Sequence, residues 1–326
     1  MTISAIVPVW NGRELLEALL ATVAAQTRPP EETLVVDNGS TDGAPDLARR
    51  AGARVIAMGR NAGFAAAVNR GIRESTGDWV AVLNSDVELA PDYFEKTTAA
   101  QGWFATGRIL QWGESAIDGT FDLVSRAGMP WRAGSGRPDG PLFAAHREIV
   151  CAPWTAALFR RDLFARVGYL EESFESYLED VDFGLRCARR GITGEYIPDA
   201  VARHRGSATL GRWHRDVVRR MSRNQMLLAA RHFRGMSLWP VFAGQALWGG
   251  VALRHGAGLA WARGKWEGLR RFRAARRQVP PEDPEVLAGF LRKSEREIRD
   301  LQSALGFDGY WRAYFLLTGG GSGEAK

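Results

Sequence analysis

Only two of the 326 residues are cysteine, Cys151 and Cys187. They form neither a Cys-x-x-Cys pair nor a zinc spacing. A disulfide scaffold and a structural zinc site are therefore excluded, and two buried free thiols in a reducing compartment are expected. Long apolar runs are also missing. Ser237–Leu253 has seventeen residues without a charge but contains Pro240, Gly244, Gly249 and Gly250, and it is short for a bilayer-crossing helix. No internal repeat or low-complexity domain is present. The first residues, Met1-Thr2-Ile3-Ser4-Ala5-Ile6-Val7-Pro8, lack the basic region of a secretory signal, read as a buried first strand, and predict a cytoplasmic protein. Acidic residues are scarce in one stretch. Arg203–Arg277 carries 17 Lys and Arg against two acids, Asp216 and Glu267, so the rest of a chain of net charge +6 sums to −9. That asymmetry predicts an anionic neighbour for the C-terminal part, either nucleic acid or phospholipid headgroups.

The chain is long enough for one large domain, or one domain with an appendage, and needs no covalent staple. Residues 1–100 alternate strand, turn and helix: strands at Ile3–Val7, Thr33–Val36, Arg54–Met58 and Trp79–Leu83, with helices at Gly12–Gln26, Ala44–Ala51 and Gly63–Ser75. This order predicts an α/β fold with a mostly parallel sheet covered on both faces. Ligands of such sheets bind beyond the carboxyl ends of the strands. The polar residues there are Asn11, Asp37-Asn38-Gly39-Ser40, Asn61 and Asn84-Ser85-Asp86. Residues 101–150 read as two short strands, near Trp103–Gln111 and Phe121–Val124, and a long loop over Gly128–Pro141, a candidate lid or acceptor loop. A strand at Ala156–Phe159, helices at Arg161–Val167 and Tyr177–Arg190, and a strand at Gly194–Ile197 follow. Beyond them come a basic helix at Arg212–Arg234, the uncharged run, Trp261 and Trp266 among cations, a Pro280-Pro281 break, and an amphipathic helix at Pro284–Leu305. Tryptophan and arginine flanking a marginal apolar run suggest an interfacial, monotopic segment, with a buried helix pair or a true span as the other readings. The expected domains are 1–210, catalytic; 211–318, a basic, Trp-rich helical extension; and 319–326, a tail.

Four clusters carry chemistry. In Val36-Asp37-Asn38-Gly39-Ser40-Thr41-Asp42, Asp37 can accept hydrogen bonds from a base or ribose and the following turn can meet a phosphate; a plain βα turn would look the same. Asn61-Ala62-Gly63 precedes a helix of small residues, which allows either close helix–sheet packing or close backbone approach to a ligand. Asp86, at a strand end, can hold Mg²⁺ or Mn²⁺ together with a diphosphate, or stand as a solvated turn acid. Tyr177-Leu178-Glu179-Asp180-Val181-Asp182 sets three acids within four residues at a helix start. Acids favour a helix N-terminus anyway, but one of them can take a proton from a hydroxyl. His204, at another strand end, is a candidate metal or phosphate contact.

In this order and spacing, together with Pro8-Val9-Trp10-Asn11, Phe159-Arg160-Arg161 and His204-Arg205-Gly206-Ser207, the motifs resemble family-2 glycosyltransferases of the rhamnosyltransferase-like group over about residues 3–234. The resemblance implies a GT-A fold and inverting transfer of L-rhamnose or another hexose from a nucleoside diphosphate sugar, dTDP or UDP foremost, with a divalent metal; the basic, Trp-rich composition adds the expectation of a C-terminal helical, membrane-associated extension. The resemblance also implies Asp180, with Glu179, as the catalytic acids. Pro8, Asn11, Asp37, Asn38, Asn61, Gly63, Asn84, Ser85 and Asp86 would bind the donor, and Asp86 and His204 the metal; Trp154, whose face can stack on a sugar ring, and Asp182 are the candidates for the acceptor. The acceptor would be a glycan or a lipid-linked sugar of cell-surface polysaccharide synthesis, the partner surface a membrane rather than nucleic acid, and the location the inner face of the cell membrane; an oligomer is left open. Two departures stand out. Asn84 occupies the first acid position of the metal-binding Asp-x-Asp motif, and Pro153-Trp154-Thr155 replaces a Ser-Gly-Ala sequence. A nucleotidyltransferase would open with a Gly-rich basic loop where Trp10-Asn11-Gly12-Arg13-Glu14 stands. A catalytically inactive sugar- or nucleotide-binding relative would keep the same motifs, and an anionic-polymer-binding protein would use the basic region.

Overall fold

The computed structural model describes residues 1–206, 213–279 and 283–319. Ser207, Arg212, the Pro280-Pro281 break and the tail from residue 320 lie outside them. The chain divides into two compact units, Met1–Phe121 with Gly134–Thr209, and Asp122–Ala133 with Leu210–Lys326.

The first unit opens with β1 (Ile3–Val9), α1 (Arg13–Ala24), β2 (Glu32–Asp37), α2 (Ala44–Arg50), β3 (Arg54–Ala57), α3 (Phe64–Glu74) and β4 (Trp79–Leu83). Every residue of β1 and β4 is buried, as continuous apolar strands covered on both faces must be. Helix α1 buries Leu16, Leu19, Leu20 and Val23 on one stripe. Helix α3 comes close to the sheet because Gly71 faces Ile6: a Cβ there would lie 2.4 Å from the isoleucine methyl. After β4 come β5 (Val87–Leu89), α4 (Tyr93–Thr98), β6 (Phe104–Gln111) and β7 (Ile117–Gly119). Next are β8 (Asp122–Val124) and β9 (Pro130–Arg132), which belong to the second unit. The chain returns through β10 (Arg147–Ile149), β11 (Ala156–Arg160), α5 (Arg161–Val167), α6 (Glu179–Arg189) and β12 (Gly194–His204).

The sheet order is β10-β12-β6-β11-β4-β1-β2-β3, with β5 on β12 and β7 on β6. Strands β4, β1, β2 and β3 run parallel. Strand β11 runs against both β4 and β6, and β12 runs with β6. The carboxyl ends of β1, β2, β3, β4, β6 and β12 therefore share one edge. The predicted loop over residues 128–141 is partly ordered as β9, which pairs with β8.

The second unit is helical: α7 (Arg215–His232), α8 (Trp239–Arg254), α9 (Gly258–Arg277), α10 (Pro284–Leu305) and α11 (Gly309–Thr318). Helices α7 and α9 touch closely because glycines face the α7 backbone. A Cβ at Gly264 would sit 2.2 Å from the Arg219 carbonyl, and one at Gly268 2.9 Å from that of Arg223. The β8–β9 hairpin is tied to α10 by Val124 N–H donating to Ser294 Oγ (2.8 Å) and by Arg126 pairing with Glu295 (2.6 Å). Among the described residues, no helix is long and apolar enough to cross a membrane.

Candidate active site

The carboxyl edge of the first unit gathers the polar residues anticipated there into two networks. The first surrounds Asp37. Val9 pairs with Asp37 in the sheet, and the buried Asp37 accepts from Ser40 N–H (3.0 Å). Asn11, in the left-handed region at φ 59°, accepts from Thr41 N–H at 2.9 Å, and its own N–H donates to Ser40 Oγ at 2.9 Å. Asn38 is buried. Its amide donates to Asn61 Oδ1 and to the Gly63 carbonyl, both at 3.2 Å, and accepts from Ala62 N–H at 2.8 Å. Asn61 itself is exposed, and Pro8 is buried.

This network continues into the acidic helix. The first turn of α3 leaves N–H groups without intrahelical partners. Ala65 N–H donates to the Glu175 carbonyl (3.0 Å) and Phe64 N–H to Ser176 Oγ (3.2 Å). Gly63 stands at φ +92°, and a Cβ there would lie 2.7 Å from the same Glu175 carbonyl, so glycine is required twice over. Glu175, Tyr177 and Leu178 all have positive φ, 62°, 74° and 70°. Three non-glycine residues of four in that region store strain, typically ~1–3 kcal/mol each. The strain aims the first turn of α6. There Glu179 is buried and Asp180 half-buried, with Asp180 Oδ1 accepting from Val181 N–H at 2.8 Å. Asp180 is thus the more accessible of the two predicted catalytic acids.

The second network surrounds His204. The antiparallel pairing of β5 with β12 sets Val87 opposite His204, so Asp86 meets the ring: Nε2 lies 3.1 Å from Asp86 Oδ1. The pairing of β6 with β7 brings Asp118 to the other nitrogen, with Nδ1 2.9 Å from Asp118 Oδ2. Burial opposes charging the ring, but the hydrogen bonds to Asp118 and Asp86 outweigh it and raise the pKa to about 9. With these partners alone, the ring is an imidazolium between two carboxylates at neutral pH. Asn84 and Ser85 precede Asp86; Asn84 N–H donates to the Thr155 carbonyl at 2.9 Å. Glu88 pairs instead with Arg205 (3.0 Å).

Asp86 and Asp118 contact opposite ring nitrogens. Among the described residues no three His, Cys, Asp or Glu side chains converge as a metal cage. The donor set still fits one divalent ion, with Asp86 and His204 Nε2 on one side and a diphosphate supplying the other oxygens. Asp118 would then act as the outer carboxylate that orients a ligating histidine. Sequence reasoning missed Asp118: a lone Asp in an irregular stretch carries no signal until β7 pairs with β6.

The two residues expected at the acceptor are placed elsewhere. Trp154 is 3% exposed and packs on Phe159 (4.2 Å between centroids) and Phe183 (5.1 Å). Its ring belongs to an aromatic core and offers no face to a sugar. Asp182 is fully buried and paired with Arg186 at 3.0 Å, which holds α6 rather than a ligand.

With this geometry in place, comparison with known proteins decides the family. The family model described as Glycosyl transferase family 2 matches residues 4–168. The chain belongs to glycosyl transferase family 2. It is a nucleotide-sugar glycosyltransferase of an inverting family. The N-acetylglucosaminyl-diphospho-decaprenol L-rhamnosyltransferase of Mycobacterium tuberculosis is 32% identical over 226 residues, covering 60% of this chain and 74% of that protein. Among solved structures, GalNAc-T7 with UDP, GalNAc and Mn²⁺ superposes at a TM-score of 0.64 with 13% identity, over 94% of this chain and 58% of that one. The mannosyltransferase PcManGT of Pyrobaculum calidifontis, with GDP-Man and Mn²⁺, gives 0.51 with 18% identity, over 96% and 86%. At these identities the structures establish the fold, which is GT-A.

Proposed function

We propose that this glycosyltransferase moves L-rhamnose or another hexose from a dTDP- or UDP-sugar to a hydroxyl of a lipid-diphosphate-linked saccharide, with inversion. The observation that carries the proposal is the half-buried Asp180 carboxylate, set by a strained turn on the edge that also bears Asp37, Asp86 and His204. The rhamnosyltransferase relative, whose name specifies such an acceptor, supports the choice of sugar and lipid.

Asp37, Asn38, Asn11 and the Asn61–Gly63 turn would receive the nucleoside. The diphosphate would lie between that turn and the Asp86–His204 pair. A divalent ion bound there supplies positive charge that stabilises the departing diphosphate. Asp180 takes the proton of the acceptor hydroxyl. The oxygen attacks the anomeric carbon from the face opposite the diphosphate. The new glycosidic C–O bond forms as the bond to the diphosphate oxygen breaks, and that oxygen keeps the electron pair. Glu179, buried and adjacent to Asp180 in the chain, is a positioning residue in this scheme.

The test is titration of the protein with dTDP-, UDP-, GDP- and CDP-sugars, each with and without Mn²⁺, followed by product analysis with a polyprenyl-diphosphate-GlcNAc acceptor. Metal-dependent binding of one nucleotide class and inverted product are expected. Failure to bind any of the four overturns the donor assignment. Asn84 at the first metal-acid position gives a second reading, a donor-binding protein without turnover; tight binding with no product would select it.

A further inference from the structure

Helix α8 exposes a stripe with no charge on it. Trp239, Phe242, Ala246, Gly250 and Leu253 lie along it. At 100° per residue they fall within an arc of about 80°. Trp239 is 57%, Phe242 67% and Leu253 72% exposed. No acid stands anywhere on this helix, and its one charged residue is Arg254, in the last turn. Solvent-facing helix surfaces of water-soluble proteins are ordinarily charged, so this one is built for another medium.

The neighbouring elements repeat the pattern. Trp239 Nε1 donates to the Leu317 carbonyl at 3.0 Å, which sets the start of α8 beside the end of α11, where Leu316 is 81% exposed. After the turn from α8 to α9, Leu259 is 90% exposed. One face of α9 carries Leu259, Ala262, Trp266 and Leu269, and continues along the same arc as Arg270, Arg273 and Arg277. The only acid on α9 is Glu267, which is held by Arg219 (2.8 Å) and Arg263 (3.1 Å). Tryptophan, phenylalanine and leucine on the outside, arginine beside them and no uncompensated acid form the pattern of a helix that lies in the plane of an anionic bilayer. Packing inside the unit does not require it, since α8 buries Gly244 against Ala127 and α9 buries Gly268 against Met226 on the opposite faces.

We infer that the outer faces of α8 and α9, with the end of α11, form an in-plane anchor for an anionic phospholipid surface. The apolar side chains enter the headgroup–acyl boundary, and Arg270, Arg273 and Arg277 meet the phosphates. The inference deepens the proposed function by naming the surface on which a lipid-linked acceptor is met, while lipid binding itself does not depend on transfer.

The experiment is co-sedimentation of the full chain with phosphatidylglycerol-containing vesicles and with pure phosphatidylcholine vesicles, with nucleotide-sugar binding measured in parallel. Two variants are compared with the wild type. One carries Phe242→Ser, Leu253→Ser and Trp266→Ser; the other carries Arg270→Gln, Arg273→Gln and Arg277→Gln. The wild type should partition onto the anionic vesicles and be partly released by salt. The apolar variant should bind at least about tenfold more weakly, and the arginine variant about fivefold more weakly per cation removed. Nucleotide-sugar binding should be unchanged in both, so failure of the anchor and failure of the donor assignment are separable. If the apolar variant does not fold, quenching of wild-type tryptophan fluorescence by brominated lipid replaces it, and quenching is expected. A wild-type protein that stays in the supernatant with anionic vesicles overturns the inference, as does equal binding by all three proteins. A dimer in sedimentation velocity that the apolar variant converts to monomer would assign these faces to a second copy instead.

Discussion

The two units differ in how fully their buried polar groups are paired. In the first, Asn38 holds the Asn61–Gly63 turn and Asp118 and Asp86 hold His204 on the carboxyl edge, while Asp182 holds Arg186 within α6. In the second, Lys265 reaches inward between α7 and α8 and donates to Gln225 Oε1 (2.7 Å) and Gln245 Oε1 (2.8 Å). In the same unit Ser222 Oγ, Gln225 Nε2, Gln245 Nε2, Trp248 Nε1 and Trp261 Nε1 are buried with no hydrogen-bond partner among the described residues. Burial lowers the Lys265 pKa to about 7. Satisfied polar networks make a rigid, pre-set site. Unsatisfied buried groups cost stability, about 1–3 kcal/mol each. The paired networks of the first unit set the geometry that the proposed chemistry needs, whereas the second carries unpaired polar groups as a cost, in the unit that also bears the proposed membrane anchor.

Three variants probe this contrast. Asp118→Asn leaves His204 in place but removes the carboxylate behind Nδ1. Mn²⁺ affinity, read by the paramagnetic resonance of the free ion in the presence of a nucleoside diphosphate, should fall about 10- to 100-fold with little change in melting temperature. Unchanged affinity would reduce the Asp86–His204–Asp118 cluster to a structural knot. Gly63→Ala places a Cβ at positive φ against the Glu175 carbonyl. It should cost about 1–3 kcal/mol of stability, and it should lower turnover more than donor affinity, because the displaced loop carries Asp180. An equal loss in both would mean that the turn serves the donor alone. The smallest effect belongs to the second unit. The folded pKa of Lys265 lies below its unfolded value, so the unfolded chain binds more protons between the two and stability rises with pH through that window. Because the residue keeps some exposure, about 1 kcal/mol is expected from pH 7 to 9. Lys265→Met should remove that rise, seen as the difference between the two proteins' chemical-denaturation midpoints at each pH.

How much was legible follows from which interactions are local. The β1–α3 region alternates buried strands with helices of clear periodicity, and Asn11, Asp37, Asn61 and Asp86 at the strand ends could be read from that rhythm alone. The same holds for α10, whose predicted bounds, Pro284–Leu305, are the observed ones. Asp118 depends on a strand pairing that spans an irregular stretch. The strain at Glu175, Tyr177 and Leu178 falls on residue types that carry no left-handed preference, so composition hides it. Trp154 reads as an acceptor contact because it replaces a small residue of the relatives and a Trp face can stack on a sugar, whereas Phe159, Phe164 and Phe183, the nearest of them five positions away, claim its ring. The hairpin of β8 and β9 joins α10 from some 170 residues away, beyond the reach of any local pattern.

The proposed chemistry rests above all on Asp180 as the general base of an inverting transfer. The variant that isolates it is Asp180→Asn, assayed for Mn²⁺-dependent donor binding and for transfer to the lipid-linked acceptor in the same preparation. Donor affinity within about twofold of wild type and transfer reduced by about 10²- to 10⁴-fold are expected. Transfer at the wild-type rate by a protein that binds donor normally would contradict the assignment.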